Sequence, residues 1–126
     1  MNAINRDYEN DKNIFKGEIY LVDLSTQIGC EQSGFRPAVI VQNNIGNRCS
    51  HTTIICPLTS QHKNMGTTHV LLSPSDCGVI KTSTVLCEQV RVIDKSRIVR
   101  KVGEISNPNK LADIDRKIMI SFGITA

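Results

Sequence analysis

Six short runs of apolar and β-branched residues are the feature that most restricts the fold of this chain. They cover residues 18–24, 38–42, 52–58, 69–72, 83–93 and 98–105, separated by polar segments rich in Gly, Asn, Pro and Ser. Runs of this length and composition predict β-strands. A parallel α/β fold needs a helix between successive strands, and no helical pattern lies between these runs. We therefore predict a mainly β fold, either a small barrel or a strongly curved sheet.

Two of the predicted strands carry residues that should interrupt them. Pro57 has no N–H group to donate, so the third strand should end, bulge or lie at a sheet edge there. Thr59 then lies where that strand opens into the polar loop over 60–68. The fifth run is long for one straight strand, and a bend or bulge near Glu88 and Gln89 would divide it.

Between the strands, segments 43–47 and 73–78 are typical of turns, because Asn and Gly tolerate positive φ and Ser and Pro favour turn geometry. Segment 95–97 has the length of a single helical turn.

The end of the chain predicts a helix that closes the fold. Asn107 is suited to the N-cap, and Pro108 follows at the first helical position, where its missing N–H costs nothing. Apolar residues then recur at the three-and-four spacing of one helical face, which should lie across the sheet. They are Leu111, Ile114, Ile118 and Phe122.

Length, charge and cysteine content set broader bounds. The 126 residues suffice for one domain, which we place over 15–126 after a flexible polar leader over 1–14. A net charge of +3 permits a polyanionic ligand without establishing nucleic-acid binding. Five cysteines without C-x-x-C spacing predict mostly buried, reduced thiols in the cytoplasm. We expect neither export nor membrane insertion, since no signal region or membrane-length apolar run is present.

The segment over 29–37 is the most promising functional stretch. It places Glu31, Gln32 and Arg36 on a loop that contains two glycines and lies between two apolar runs. A loop held by flanking strands is a common place for binding and catalytic residues. Arg36 precedes Pro37, which favours an extended backbone at the start of the next strand.

The chain resembles the MazF/PemK family of toxin endoribonucleases from bacterial toxin–antitoxin pairs, and is closest to those of Gram-positive bacteria. The similarity is carried by segments 17–24, 31–43, 54–59 and 88–95 and by the terminal helix, in one register over roughly 16–123. Cys30 and Phe35 depart from the family pattern, and they bear on loop shape and base choice.

The resemblance implies a fold, an activity and partners. The fold is an SH3-like small β-barrel, shared with CcdB and Kid toxins, and the protein is a homodimer. The activity is metal-independent and cofactor-independent cleavage of single-stranded mRNA at a short sequence, leaving 2′,3′-cyclic phosphate and 5′-hydroxyl ends. The partner is a MazE-like antitoxin whose acidic segment blocks the RNA groove. No membrane contact is implied, and DNA is reached only through the antitoxin.

The resemblance also implies roles for individual residues. Arg36 corresponds to the family's essential arginine, and its planar guanidinium matches phosphate oxygens. Thr59 corresponds to the second active-site residue, whose hydroxyl donates to the scissile phosphate. Glu31 is a candidate base, or a carboxylate that holds Arg36 in place.

Several polar side chains are candidates for contacts with splayed bases, since single-stranded RNA is read through hydrogen bonds and stacking. Phe35 could stack on a base or cap the barrel. The amide candidates are Gln32, Asn43, Gln61 and Gln89.

Other interpretations stay open at this point. A toxin with the same barrel could poison a protein target such as gyrase, and a catalytically silent RNA or antitoxin binder would share much of the pattern. A basic run (Arg91, Lys95, Arg97, Arg100 and Lys101) could meet phosphates or form a solvated face. Nothing in the sequence makes His51, His62 and His69 converge, so we do not predict a pair of catalytic imidazoles.

Overall fold

The computed structural model describes residues 13–25, 34–61, 66–79 and 81–125. The strands are β1 (Glu18–Asp23), β2 (Phe35–Ile40), β3 (Thr52–Thr59), β4 (His69–Leu72), β5 (Ser83–Leu86), β6 (Arg91–Asp94) and β7 (Ile98–Glu104). The helices are α1 (Asn44–Cys49), α2 (Pro74–Cys77) and α3 (Pro108–Ser121), with 3-10 turns over Cys87–Gln89 and Lys95–Arg97.

The seven strands form one sheet with antiparallel pairings, in the order β4-β5-β3-β2-β1-β7. β6 adds to β3 along the first half of that strand, and β5 pairs with its last two residues. β3 therefore changes partner part-way along one side, while β2 occupies its other side. Two register irregularities in the β1–β7 pair add a local bend.

Hydrophobic cores lie on both faces of this sheet. The first core contains Ile19, Val39, Cys56, Leu58, Val70, Leu72, Cys77, Val79, Val85, Cys87 and Ile114. The second contains Ile14, Tyr20, Val22, Leu24, Ala38, Ile40, Ile55, Ile93 and Ile98. α3 covers the first core through Ile114, with Ile118 packed beside it. The predicted mainly β class with a C-terminal helix is confirmed.

From the sequence we expected the third strand to end, bulge or lie at a sheet edge at Pro57. The strand does not end there. Pro57 is buried inside β3 and faces Ala38 of β2. The interruption falls on the other side of β3, where β6 stops at Ile55 and β5 begins at Leu58. A residue without an N–H is tolerated there because the ladder on that side is already broken. The long fifth run divides as expected, at the 3-10 turn over Cys87–Gln89.

Segment 43–47, which we predicted to be a turn or hairpin loop, contributes to α1 instead, so that prediction is wrong. The Asn43 side chain accepts a hydrogen bond from the Gly46 N–H at 2.9 Å and caps the helix. Asn47 is 1 % exposed and anchors the helix to the sheet. A short helix with few strong helix formers persists because a cap and a buried anchor hold it.

The buried Asn47 amide is fully bonded within a cluster that we call the Asn47 network (Gln42, Asn44, Asn47 and Thr53). Its oxygen accepts from the Thr53 hydroxyl at 2.7 Å and from Gln42 Nε2 at 3.0 Å. Its nitrogen donates to the Gln42 carbonyl at 3.0 Å and to Asn44 Oδ1 at 3.2 Å. These bonds satisfy the buried amide and fix α1 against β3.

Segment 73–78 is a turn that contains the single helical turn α2. The Asp76 carboxylate accepts the Ser73 N–H at 2.8 Å, and Gly78 ends the turn with a φ of 76°. This left-handed conformation is one that glycine adopts without strain.

The terminal helix begins as predicted, with the Asn107 side chain accepting the Asn109 N–H at 2.9 Å and Pro108 in the first turn. Ile114 is fully buried, as the helical spacing required. Phe122 is an exception to the predicted buried face, because it is the C-cap residue and is 61 % exposed. The helix has ended before its side chain can reach the core.

The beginning of the chain and the cysteines add two details. Ile14, which we assigned to the leader, is buried in the second core, while residues 1–12 lie outside the described part of the chain. Cys56, Cys77 and Cys87 are buried free thiols, Cys49 is an exposed one, and Cys30 lies outside the described residues.

None of the helices in the described part of the chain combines the length and the apolar character needed to cross a membrane.

Candidate functional site

Arg36 and Thr59 lie on the same side of the sheet, just past the end of the β2–β3 ladder. The register pairs Ile40 with Ile55 and Ala38 with Pro57. Arg36 and Thr59 each lie two residues beyond that last pair, at the adjoining ends of the two strands. Side chains two residues apart on a strand share a face, so both point to the face of Ala38 and Ile40.

This face is the one that carries the second core, and the two polar residues lie where that core ends. Both are half-buried. Their partners on the outer strands are buried: Val22 faces Arg36 across the β1–β2 pair, and Thr84 faces Thr59 across the β3–β5 pair. The guanidinium and the hydroxyl are therefore held on paired strands beside a packed interior, which restricts their movement.

The Thr59 hydroxyl has a defined local partner. Its Oγ1 accepts a hydrogen bond from the Gln61 N–H at 3.2 Å, as the chain leaves the strand. This bond uses a lone pair of the oxygen, so the hydroxyl proton remains able to donate to a ligand.

Arg91 is a further polar residue on this face, and we call the group of Arg36, Thr59 and Arg91 the polar rim. Arg91 faces Ile55 across the β3–β6 pair, and Ile55 belongs to the second core. Facing residues of an antiparallel pair share a side of the sheet, so Arg91 points to the same side as Arg36.

The other predicted substrate contacts distribute unevenly around the rim. Phe35 is adjacent to Arg36 and 62 % exposed, Gln61 is exposed beside Thr59, and Gln89 is half-buried just before β6. Asn43 follows the far end of β2 and caps α1, so the structure does not bring it to the rim. Glu31 and Gln32 lie outside the described residues.

The predicted basic run does not form one surface. Lys95 Nζ donates to the Asn47 carbonyl, and Arg97 Nη1 donates to the Asp23 carbonyl at 3.1 Å. Lys101 forms ion pairs with carboxylates on β1 and β7. Three of the five cations therefore have internal structural partners, and a string of basic residues in sequence could not reveal this.

The sequence did not indicate a role for His69, which the structure pairs with Glu88. His69 Nε2 lies 3.2 Å from Glu88 Oε1, and His69 Nδ1 accepts the Gly66 N–H at 3.0 Å. Because Nδ1 accepts, the neutral ring carries its proton on Nε2 and donates to Glu88. Thr68 Oγ1 donates to the same carboxylate at 3.2 Å. The pair links the first residue of β4 to the Cys87–Gln89 turn.

The buried thiols are poorly suited to nucleophilic chemistry. The pKa of Cys56 is raised because its hydrogen bond with the Cys87 thiol and its burial both favour the neutral form. A thiol held in the neutral form is a weak nucleophile. Cys77 is likewise buried, and burial raises its pKa.

Comparison with known proteins assigns the chain to a family. Residues 15–122 match the PemK-like, MazF-like toxins of type II toxin–antitoxin systems. The chain belongs to this family. It is 39 % identical over 110 residues to Endoribonuclease MazF of Staphylococcus saprophyticus, covering 86 % of this chain and 91 % of the relative. It is 36 % identical over 110 residues to Endoribonuclease EndoA of Bacillus subtilis, covering 86 % and 94 %.

Solved structures of MazF toxins share the fold. MazF of Deinococcus radiodurans superposes with a TM-score of 0.78 at 25 % identity, covering 90 % of this chain and 100 % of that one. A mycobacterial endoribonuclease in complex with its cognate antitoxin has a TM-score of 0.74 at 24 % identity, covering 90 % and 98 %. The family resemblance and the fold class predicted from sequence are both confirmed.

Proposed function

We propose that this MazF-like protein is an endoribonuclease toxin that cleaves single-stranded RNA at a short sequence without a metal ion. The cut leaves a 2′,3′-cyclic phosphate and a 5′-hydroxyl. The observation that supports the proposal is that a guanidinium and a hydroxyl, those of Arg36 and Thr59, lie on one side of the sheet at adjoining ends of β2 and β3. The endoribonuclease names of the two relatives above support it.

The chemistry fits a site made of few groups, because RNA supplies its own nucleophile. The 2′-oxygen forms a bond to phosphorus as the bond from phosphorus to the 5′-oxygen breaks. A base takes the 2′-hydroxyl proton, and an acid gives a proton to the departing 5′-oxygen. Proton transfer by a positioned side chain typically contributes about 10²- to 10⁴-fold in rate.

Arg36 is the proposed stabiliser of the charge that builds on the phosphate oxygens. Its forked donors match two such oxygens at once, and its position on a strand keeps them in place. A fixed donor at a developing negative charge is worth about 10²- to 10³-fold in rate.

Thr59 is the proposed second donor to the same phosphate. Its oxygen already accepts the Gln61 N–H, which orients the hydroxyl so that its proton can point away from that bond. Glu31, five residues before Arg36, supports the site as base or as the partner that orients the guanidinium.

Base recognition is assigned to groups around the scissile phosphate. Phe35 would stack on a base, and Gln32, Gln61 and Gln89 would hydrogen-bond base edges. Asn43 is assigned to capping α1, where its side chain is already engaged.

Two partners complete the proposal. A MazE-like antitoxin would inhibit the toxin by placing an acidic segment over the polar rim, where opposite charge to Arg36 and Arg91 favours the contact. The toxin itself would act in the cytoplasm as a homodimer. Solved antitoxin complexes of the mycobacterial endoribonuclease and of Deinococcus radiodurans MazF support the proposed antitoxin partner.

The test is cleavage of a long, unstructured RNA by purified protein in excess EDTA. The expected result is a set of discrete fragments whose 5′ ends accept phosphate from polynucleotide kinase without prior phosphatase treatment. Added antitoxin should suppress the fragments. Intact RNA together with inhibition of gyrase would contradict the proposal and favour a protein-poisoning toxin of the same fold.

A further inference from the structure

The Arg91 guanidinium has an incomplete set of hydrogen bonds. Its Nη1 atom is buried, and among the described residues it has no hydrogen-bond partner. Its Nε reaches the Val92 carbonyl only at 3.5 Å. A buried donor that lacks an acceptor is costly, and a charged donor more so. The described part of the chain therefore provides the Arg91 guanidinium with few hydrogen bonds of its own.

The position of Arg91 connects it with the proposed site. Arg91 lies on the same side of the sheet as Arg36 and Thr59, on the strand that pairs with β3 opposite β2. Its facing residue, Ile55, is four residues before Thr59, which is about 13 Å along an extended strand. At that separation Arg91 would contact a phosphate other than the one held by Arg36.

We infer that Arg91 binds a second, non-scissile phosphate of the RNA strand and fixes its path across the polar rim. The inference rests on the proposed ribonuclease function and adds a residue to its substrate site. The side chain is only half-buried, so a phosphate oxygen can approach the exposed part of the guanidinium. No carboxylate in the described ranges forms an ion pair with it, which leaves its charge available to an anion.

Such a contact has a distinct signature. A backbone phosphate contact positions the strand but carries no sequence information, so its loss should weaken binding to every RNA without moving the cut sites. It should also reduce the salt dependence of binding, because each neutralised phosphate of a single strand contributes about 0.7 to the slope of log K against log salt.

The experiment measures binding of a fluorescent 2′-O-methyl RNA that spans a mapped cut site and cannot be cleaved. Anisotropy at several KCl concentrations gives the slope for the wild type, Arg91→Gln and Arg91→Lys. We expect a slope shallower by about 0.7 for Arg91→Gln and an unchanged slope for Arg91→Lys, which keeps the charge. Cut sites on long RNA should be the same for all three proteins.

Arg100→Gln is the matched control. It removes the same charge from an exposed residue of β7 whose facing residue, Leu21, points away from the rim, so the slope should not change. Thermal melting and mass measurement in solution check that each variant folds and keeps its oligomeric state.

An unchanged slope in Arg91→Gln, while the wild type still cuts RNA, overturns the inference and leaves the proposed function intact. A change that coincides with dissociation of a dimer assigns Arg91 to a second copy of the chain and also overturns it. Failure of the wild type to cut or bind RNA would instead remove the proposed function on which the inference rests.

Discussion

The two ends of the β2–β3 pair hold polar side chains in contrasting ways. At one end, the Asn47 network buries an amide whose oxygen and nitrogen both bond within the protein. At the other end, Arg36 and Thr59 of the polar rim are half-buried. The same pair of strands thus carries a buried polar cluster at one end and partly exposed polar side chains at the other.

The difference teaches how to separate stabilising polar residues from functional ones. Hydrogen bonds satisfied within the protein stabilise the fold, and their removal leaves buried groups unpaired. Groups with remaining hydrogen-bonding capacity on a rigid strand are available to a ligand. Mutations at the network should therefore reduce stability and spare activity, whereas mutations at Arg36 and Thr59 should do the reverse.

The largest effect should come from Arg36→Ala. We expect kcat/KM for RNA cleavage to fall by about 10²- to 10³-fold or more, because a fixed cation at the phosphate is lost. The melting temperature should stay within a few degrees of the wild type, since the side chain is only half-buried. Single-turnover cleavage and circular dichroism measure the two quantities. Arg100→Ala should leave both unchanged, and normal cutting by Arg36→Ala would refute the site assignment.

Asn47→Ala should show the opposite behaviour. Removing the amide leaves the buried Thr53 hydroxyl without its acceptor and frees α1 from β3. We expect a loss of about 2–4 kcal/mol in the free energy of unfolding. The folded fraction should cut RNA at the wild-type rate. Urea denaturation measures the stability, with exposed Asn109→Ala as the control. A stable but inactive Asn47→Ala protein would contradict the proposed separation of stabilising residues from functional ones.

Thr59→Val should reduce the cleavage rate by about 10- to 100-fold, the worth of one hydrogen bond to a charged group. Thr59→Ser keeps the hydroxyl and should restore most of the rate. Val has nearly the size of Thr, so a slower rate in Thr59→Val reflects the missing hydroxyl and not a gap in the packing. Equal rates for the Val variant and the wild type would show that the hydroxyl does not contact the phosphate.

The smallest effect concerns pH at the network end, where Asp94 caps the Lys95–Arg97 turn. The Ser96 N–H bonded to its carboxylate at 2.8 Å lowers the pKa of Asp94. Its stabilisation is therefore present above the pKa of an unfolded aspartate, about 3.9, and is lost as the pH falls through the lower folded value.

The difference in melting temperature between the wild type and Asp94→Asn should accordingly be small at pH 7 and shrink toward pH 3. Differential scanning fluorimetry at intervals of pH follows it. RNA cleavage at pH 7 should be equal in the two proteins. A gap that widens on acidification would mean that the carboxylate is destabilising in its folded setting.

Much of this contrast could be anticipated from sequence. β-branched runs and turn residues gave the strands to within a few residues, and the proline after Arg36 indicated an extended start to β2. The family resemblance supplied Arg36 and Thr59, and the strand pairings show that both lie on one side of the sheet. A pattern along one strand cannot supply that register, which depends on pairing between strands.

The rest depended on contacts that are distant in sequence. α1 forms because Asn47 meets Thr53 and Gln42 in the interior, and its sequence alone is typical of a turn. The His69–Glu88 pair joins residues separated by nineteen positions. The unpaired Arg91 nitrogen is visible only once its surroundings are folded.

The central claim is that Arg36 and Thr59 act on one phosphate. A double-mutant cycle with Arg36→Lys, Thr59→Val and the combined variant tests it through single-turnover cleavage of an RNA that spans a mapped cut site. The account predicts coupling of about 1 kcal/mol or more, so that the combined loss is clearly smaller than the sum of the two separate losses. Losses that simply add would show that the two side chains work independently and would contradict the account.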